Sequence, residues 1–186
     1  MKRSPKSCLT SVTATHAQAW SRQTGASLLE GIAYLGIAAL VLIGAVALLN
    51  TAFSSSNSNQ LNQELSSIQT ATRKLFMTTQ GDFGTADITA GLIGAGGFPQ
   101  TLTTNASAGT VTNVWGGAVT VTGVNADFTV QYTAVPKDVC INTLTATTSG
   151  WQSVTVGGTA VTLPATPTAA NTACATTSNT IVWTSV

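Results

Sequence analysis

Charged residues are the scarcest class in this 186-residue sequence, at 7% of the total, while apolar residues make up 44%. The charge is too low for an ordinary cytosolic protein, and the apolar content is too low for a multispan membrane protein. The length allows about one domain. We therefore expect a surface-exposed or secreted domain with a single long apolar element.

Histidine is almost absent as well, since His16 is the only one. Beyond residue 25 the chain therefore lacks the histidine that Ser-His-Asp and Cys-His catalysis require, and the commonest metal ligand. Asp82 and Asp87 share one loop, where a weak calcium site is conceivable, but solvated loop acids are the simpler interpretation. We expect no enzyme, no metal and no cofactor.

The few charges are unevenly placed. Residues 1–25 contain four basic residues and no acidic one, whereas the remainder contains three basic and six acidic residues. The three later bases, Arg73, Lys74 and Lys137, are too few and too scattered for a nucleic-acid interface. The pattern indicates a basic leader followed by a mildly acidic domain.

A membrane-length apolar run follows the leader. Residues 26–49 read ASLLEGIAYLGIAALVLIGAVALL, and no charged residue occurs between Gly31 and Gln63. As a helix this run is about 36 Å long, enough to span a bilayer core, and the upstream bases place its start in the cytoplasm. No signal-peptidase pattern ends the run. The only junction typical of processing is Gly25-Ala26, which precedes it.

These residues carry a family resemblance. Gly25 followed by Ala26-Ser27-Leu28-Leu29-Glu30 and an apolar helix resembles the class III signal of type IV pilins and pseudopilins. The resemblance implies that a prepilin peptidase cuts after Gly25 and often methylates the new amino group of Ala26. It also implies that Glu30, as the fifth residue of the mature chain, takes part in assembly.

Several features resemble the type IVb branch. They are the long leader, a first mature residue other than Phe, glycines at Gly36 and Gly44, and no proline from residue 6 to residue 98. The segments NVWGGAVTV (113–121) and VPKDVC (135–140) resemble subunits of thin and conjugation pili.

The position of Glu30 has a physical rationale. A carboxylate inside a bilayer costs roughly 2.5–3.5 kcal/mol, so an apolar residue would be cheaper there. In a bundle of parallel helices, Glu30 of one copy can meet the Ala26 amine of the next, in a place of low dielectric constant. The alternative is a glutamate near the cytosolic edge that extends into the headgroups.

The glycines of the apolar run also allow two interpretations. Gly36 and Gly44 are poor helix formers, but small residues allow helices to approach closely inside membranes. They would equally allow the helix to melt locally in a filament.

An amphipathic stretch continues the apolar run. Leu61, Leu65, Ile68, Thr72 and Leu75 recur at steps of four and three, with Phe76 beside them, as on one face of a helix. We expect one helix from about Ser27 to Gln80, with Gly81 after its end. A separate helix after the Ser/Asn-rich linker at 54–59 is the alternative.

The remaining chain predicts a β-rich domain. Runs rich in Val and Thr predict strands at 118–124, 128–135, 151–156, 159–163 and 180–184. Gly157-Gly158 predicts a two-residue hairpin turn, and short helices are expected near 87–93 and 137–144. The tryptophans of this region are expected to be buried in the sheet.

Two cysteines remain after the leader, which holds Cys8. In an exported domain Cys140 and Cys174 predict one disulfide, and two unpaired buried thiols are the alternative. The family resemblance implies that the segment between them is the variable surface of the pilus.

Together these expectations describe an α+β pilin fold, with one long helix packed on an antiparallel sheet. The organisation is a cleaved leader (1–25), a transmembrane and filament-core half of the helix (26–53), an amphipathic half (54–80) and an extracytoplasmic head (81–186).

The resemblance implies a structural subunit that polymerises into a type IVb pilus for adhesion, aggregation or conjugation. Its partners would be other copies, the prepilin peptidase, a platform protein, an assembly ATPase, a secretin, and the inner membrane before assembly. The alternatives are a minor tip pilin that binds a receptor, a pseudopilin of a type II secretion system, and an uncut membrane anchor.

Overall fold

The computed structural model describes residues 27–147 and 150–186, and the side chains at 50 and 51 are not described. These residues form two compact units, one ending at Ile43 and one spanning Gly44–Val186. Helix α1, Leu28–Leu75, contributes to both. Its first turn is capped by Ser27, whose Oγ accepts a hydrogen bond from the Glu30 N–H at 3.2 Å.

Helix α1 is continuous through the Ser/Asn-rich stretch at 54–59, so the alternative of two separate helices is not what the structure shows. The helix ends at Leu75, earlier than the expected Gln80, and a 3₁₀ turn, Met77–Thr79, follows. The Thr79 hydroxyl bonds to the carbonyl oxygens of Phe76 and Asp82, which tightens the chain into a turn there.

The predicted apolar stripe of α1 is confirmed over most of its length. Leu61, Leu65, Ile68 and Thr72 are all at most 1% exposed. Leu75 is 39% exposed, so its assignment to the buried face was wrong. It is the last residue of the helix, where the chain already turns away.

The described residues of the larger unit form one antiparallel sheet of seven strands. Their order across the sheet is β1-β2-β3-β4-β7-β5-β6. Their bounds are β1 Thr103–Asn105, β2 Thr110–Thr112, β3 Ala118–Val124, β4 Asp127–Pro136, β5 Ser153–Val156, β6 Thr159–Val161 and β7 Ser178–Ser185. The last strand of the chain therefore lies between β4 and β5, deep in the sheet.

All five predicted strands exist, and β3 has the predicted bounds. β1 and β2 were not predicted, because three-residue strands rich in Thr and Asn show no apolar alternation. Gly157 and Gly158 form the predicted hairpin between β5 and β6, with φ of 57° and 84°. Positive φ at both positions is what a two-residue turn of this kind requires.

Three short helices flank the sheet: α2 Thr89–Gly94, α3 Lys137–Ala146 and α4 Pro167–Ala173. The first two were expected. Helix α4 was not, because its Thr/Ala/Pro composition is that of a solvated loop. Thr166 caps it by accepting from the Ala169 N–H, and Pro167 occupies its first turn.

The predicted disulfide joins α3 to the end of α4. Cys140 and Cys174 are bonded, with Cα atoms 6.1 Å apart, and both are fully buried. The alternative of unpaired thiols is thereby excluded. The bond ties the segment that contains β5, β6 and α4 to the core of the sheet.

One side chain organises the turn before β3. The Oδ1 of buried Asn113 accepts from the N–H groups of Trp115 and Gly117, and its Nδ2 donates to the Thr133 carbonyl oxygen. Residue 134 has φ of 58° beside a register shift in β4. The NVWGG stretch therefore forms a turn that is hydrogen-bonded to β4, next to the register shift in that strand.

Candidate functional site

The N-terminal part of α1 exposes an unusual apolar surface. Its large apolar side chains from Leu28 to Leu49 are 53–85% exposed. The helix contains a window with mean hydropathy 2.7, and by length and composition it is able to cross a membrane. An exposed apolar surface of this length needs a non-aqueous environment or a protein partner.

Glu30 is the only charged residue in this surface, within residues 27–63. It is exposed, lies in the first turn of α1, and its Oε1 accepts a long hydrogen bond of 3.4 Å from the Tyr34 hydroxyl. A carboxylate at a helix N-terminus is also favoured by the helix dipole. The predicted cleavage residues, Gly25 and Ala26, lie outside the described residues.

Gly36 and Gly44 lie in the same exposed surface. A Cβ atom at either position would have no neighbour within 4 Å. Nothing within the described chain therefore demands glycine at these positions. Any requirement for small residues there must come from a partner.

A second polar site lies where α1 meets the sheet. Glu64 is only 4% exposed, and its Oε2 accepts from the Tyr132 hydroxyl at 3.2 Å. Its Oε1 accepts from Gln60 Nε2 at 2.9 Å. Burial, followed by the negative charge of Glu64 and the hydrogen bond to it, raises the pKa of Tyr132 far above its ordinary value. Tyr132 therefore remains a neutral donor to the carboxylate.

The sequence did not reveal this pair. Glu64 lies within the predicted helix, and Tyr132 lies within the predicted strand at 128–135. One signal existed: Glu64 stands beside Leu65 and one turn from Leu61 and Ile68, and thus close to the buried face. Without the partner strand, that position does not distinguish a buried acid from an exposed one.

The end of this contact nearest the start of α1 is polar. Ser54 and Ser58 are buried, at 6% and 4% exposure. Asn142 of α3 donates from Nδ2 to the Ser54 Oγ at 3.0 Å, and the Ser58 hydroxyl donates to the Ser54 carbonyl oxygen. The Ser-rich stretch is therefore a docking surface of α1 for α3.

Near its end, α1 bonds to β7. Gln69 and Arg73 both donate to the Ser185 Oγ, at 2.7 and 3.0 Å, and Arg73 Nε donates to the Val186 carbonyl oxygen. The helix is thus held by polar contacts on both sides of its apolar stripe.

The loop acids have structural roles. Asp82 Oδ1 accepts from the Gly84 N–H, and Asp87 Oδ1 accepts from the Thr89 N–H, ahead of α2. Among the described residues, no group of three or more His, Cys, Asp or Glu side chains converges.

Of the tryptophans expected in the sheet, only Trp183 is fully buried, where its ring meets Tyr132 edge-on at 5.9 Å. Trp115 and Trp151 are half-buried at the margin of the core. The expectation of buried sheet aromatics therefore holds fully for one of the three.

Comparisons with known proteins agree with this architecture. A family model described as PilS N terminal matches residues 55–186. The fold is similar to the crystal structure of TcpA, a type IV pilin from the El Tor biotype of Vibrio cholerae. The TM-score is 0.51 at 14% identity, over 70% of this chain and 99% of that chain. No curated protein sequence matches. At this identity the structural match supports the fold alone.

Proposed function

Because the chain belongs to the type IV pilin family, through the PilS N-terminal model that matches residues 55–186, we propose that it is a structural subunit of a type IVb pilus. One observation carries this proposal: within the described residues, nothing covers the apolar half of α1. Its large side chains are 53–85% exposed between Leu28 and Leu49.

The free energy gained by burying this apolar surface is large. Burying one side chain the size of Leu, Val or Ile is worth roughly 1.5–3 kcal/mol. Before assembly the inner membrane supplies that cover, and after assembly the helices of other copies supply it in a filament core. The same surface therefore serves as membrane anchor and as polymerisation interface.

The chemistry at the start of the mature chain directs assembly. A prepilin peptidase cuts after Gly25, and the new amino group on Ala26, often methylated, meets Glu30 of a neighbouring copy. Within the described residues only the Oε1 atom of Glu30 has a donor, from Tyr34, so Oε2 remains for that amine. A charge pair of this kind sets the register of the helices because an unpaired member is costly in an apolar bundle.

The domain organisation follows from this cycle. The leader (1–25) is removed, residues 26–53 anchor the subunit and then form the filament core, and residues 81–186 form the head on the pilus surface. Gly36 and Gly44 allow close approach between helices of adjacent copies. The second half of α1 connects the core to the head.

The pilin acts with an assembly machine. An inner-membrane platform protein and an ATPase extract subunits into the growing filament, which leaves the cell through an outer-membrane secretin. The product is an extracellular pilus that serves adhesion, aggregation or conjugation.

N-terminal sequencing of the mature protein, with electron microscopy of the cells, tests this function. An N-terminus at Ala26 and filaments that contain the chain are expected. Glu30→Ala should still insert and be cleaved but should not polymerise normally, whereas Glu30→Asp, the matched control, should retain some assembly. A mature chain that begins at Met1, or wild-type filaments from Glu30→Ala, would contradict the proposal.

A further inference from the structure

Tyr34 has the only polar side chain between Gly31 and Leu49. It lies four residues beyond Glu30, which is the only charged residue within 27–63, and residues four apart are neighbours on a helix. The Tyr34 hydroxyl donates to the Glu30 Oε1 atom at 3.4 Å. The single hydroxyl of this apolar stretch is therefore bonded to the single carboxylate near it.

The depth of Tyr34 in the apolar run distinguishes it from tyrosines that mark a bilayer surface. Such tyrosines lie at the two ends of a spanning segment. A helix rises about 22 Å from Tyr34 to Leu49, whereas a hydrocarbon core is about 30 Å thick. With Leu49 at one boundary, the backbone of Tyr34 lies inside the core, where a hydroxyl without an acceptor is costly. Because helical side chains lean towards the N-terminus, Tyr34 is directed to the turn that contains Glu30.

The second carboxylate of α1 has a related arrangement. Glu64 Oε1 accepts from Gln60 Nε2, four residues away on the same helix, at 2.9 Å. Glu64 Oε2 accepts from the Tyr132 hydroxyl of β4 at 3.2 Å. One oxygen is thus bonded to a donor on the helix itself, and the other to a donor from a distant segment. Glu30 has the first of these two bonds, with Tyr34 as the donor on the helix.

We propose that Tyr34 is a positioning residue for assembly, which holds the Glu30 carboxylate so that Oε2 faces the Ala26 amine of the next copy. This inference rests on the proposed function as a filament subunit. Before assembly, the hydroxyl gives the carboxylate a hydrogen bond in the membrane, which lowers the cost of placing a charge there. The same bond limits rotation of the carboxylate, so that less conformational entropy is lost when the amine pairs with it.

Raman spectroscopy of the unassembled chain in detergent tests the contact. The tyrosine doublet of the spectrum reports whether a phenol hydroxyl donates a hydrogen bond, and the chain contains only two tyrosines, Tyr34 and Tyr132. Because Tyr132 keeps its acceptor, the difference between the unmodified chain and Glu30→Ala reports on Tyr34. We expect the doublet of a weaker donor in Glu30→Ala. Identical doublets in these two chains would overturn the proposal.

A matched control assigns that spectral change to Tyr34. Glu30→Ala made in a Tyr34→Phe background should leave the doublet unchanged, because only Tyr132 then contributes to it. A change of the same size in this background would show that the signal comes from Tyr132, and it would likewise overturn the contact between Tyr34 and Glu30.

The filament yield of Tyr34→Phe tests the role in assembly. This substitution keeps the ring and its apolar area, so membrane insertion and cleavage should be unchanged. At an equal amount of subunit, the yield should fall roughly tenfold through the loss of one hydrogen bond to a charged group. A yield equal to that of the unmodified chain would overturn the role of Tyr34.

The same substitution in a Glu30→Asp chain separates positioning of Glu30 from any other effect of the hydroxyl. The shorter side chain withdraws the carboxylate from Tyr34 but keeps the charge and some assembly. If Tyr34 acts through Glu30, Tyr34→Phe should lower the remaining yield by no more than about twofold in this background. An equal tenfold loss in both backgrounds would overturn the proposal, because the hydroxyl would then act without Glu30.

Failure of this inference differs from failure of the proposed function. The Raman test uses the unassembled chain and gives its result whether or not filaments form. If the unmodified chain forms filaments and Tyr34→Phe forms them equally well, the role of Tyr34 alone is wrong. If the unmodified chain forms no filaments, the proposed function is wrong, and the role of Tyr34 in assembly falls with it.

Discussion

Replacing Tyr132 by phenylalanine should destabilise the head by roughly 1–3 kcal/mol, which is the usual cost of leaving a buried polar atom without its partner. The Tyr132 hydroxyl donates to Glu64 Oε2 at 3.2 Å, and Glu64 is 4% exposed. Phenylalanine keeps the ring and its edge-on contact with Trp183 at 5.9 Å. The substitution therefore removes one hydrogen bond and little packing.

A second hydrogen-bond donor to Glu64 limits the destabilisation that Tyr132→Phe should cause. Gln60 Nε2 still donates to Glu64 Oε1 at 2.9 Å, so the carboxylate loses one of its two donors and does not become isolated. The cost should consequently lie below the 3–5 kcal/mol that is typical when a buried charge pair is broken outright.

Urea denaturation of the mature chain in detergent, followed by tryptophan fluorescence, measures this loss. A double-mutant cycle with Glu64→Leu isolates the interaction, and we expect a coupling energy of about 1–2 kcal/mol. Tyr34→Phe is the matched control, because Tyr34 is 65% exposed and should leave the unfolding midpoint unchanged. Additivity within about 0.5 kcal/mol in the cycle would refute the assigned role of the pair.

Three further predictions concern the stability of the head. Replacing Cys140 and Cys174 together by serine should lower the free energy of unfolding by roughly 4 kcal/mol in the chain-entropy model, measured as a lower urea midpoint. Gly123→Ala should cost at least about 3 kcal/mol, because its Cβ would overlap a backbone carbonyl of the neighbouring loop. Gly91→Ala, where no atom lies within 4 Å, should be neutral or stabilising in the same urea denaturation experiment. Stability should also fall by about 1.4 kcal/mol per pH unit above roughly pH 10, because Tyr132 ionises there only in the unfolded chain. Tyr132→Phe should remove this slope in an alkaline titration.

Predictions based on periodicity were confirmed over most of their length. The Val/Thr alternation of β3 and the spacing of Leu61, Leu65 and Ile68 on α1 reflect burial of one face, which the sequence records directly. The short strands β1 and β2 and the helix α4 were missed. Their formation depends on a neighbouring strand or on a local cap, and neither leaves a periodic pattern.

Polar contacts between α1 and α3 were also not predictable from the sequence. Ser54 and Ser58 belong to the Ser/Asn-rich stretch for which a linker was the alternative to a continuous helix, and both are buried where α1 meets α3. Small polar residues carry no signal of burial, because the same composition is typical of solvated loops. Their partner, Asn142, lies 88 positions along the chain from Ser54.

The sequence by itself determined the local properties of this protein: an apolar run with one acid near its start, 25 residues before it with only basic charges, an amphipathic extension, and two cysteines beyond residue 25. These properties depend on residue type and spacing, and they carry the resemblance to type IV pilins. Only the tertiary structure decided which residues from distant parts of the chain meet. It paired Glu64 with Tyr132, set β7 between β4 and β5, and placed β1 and β6 at the two edges of the sheet, because these outcomes follow from strand order and from packing between distant segments.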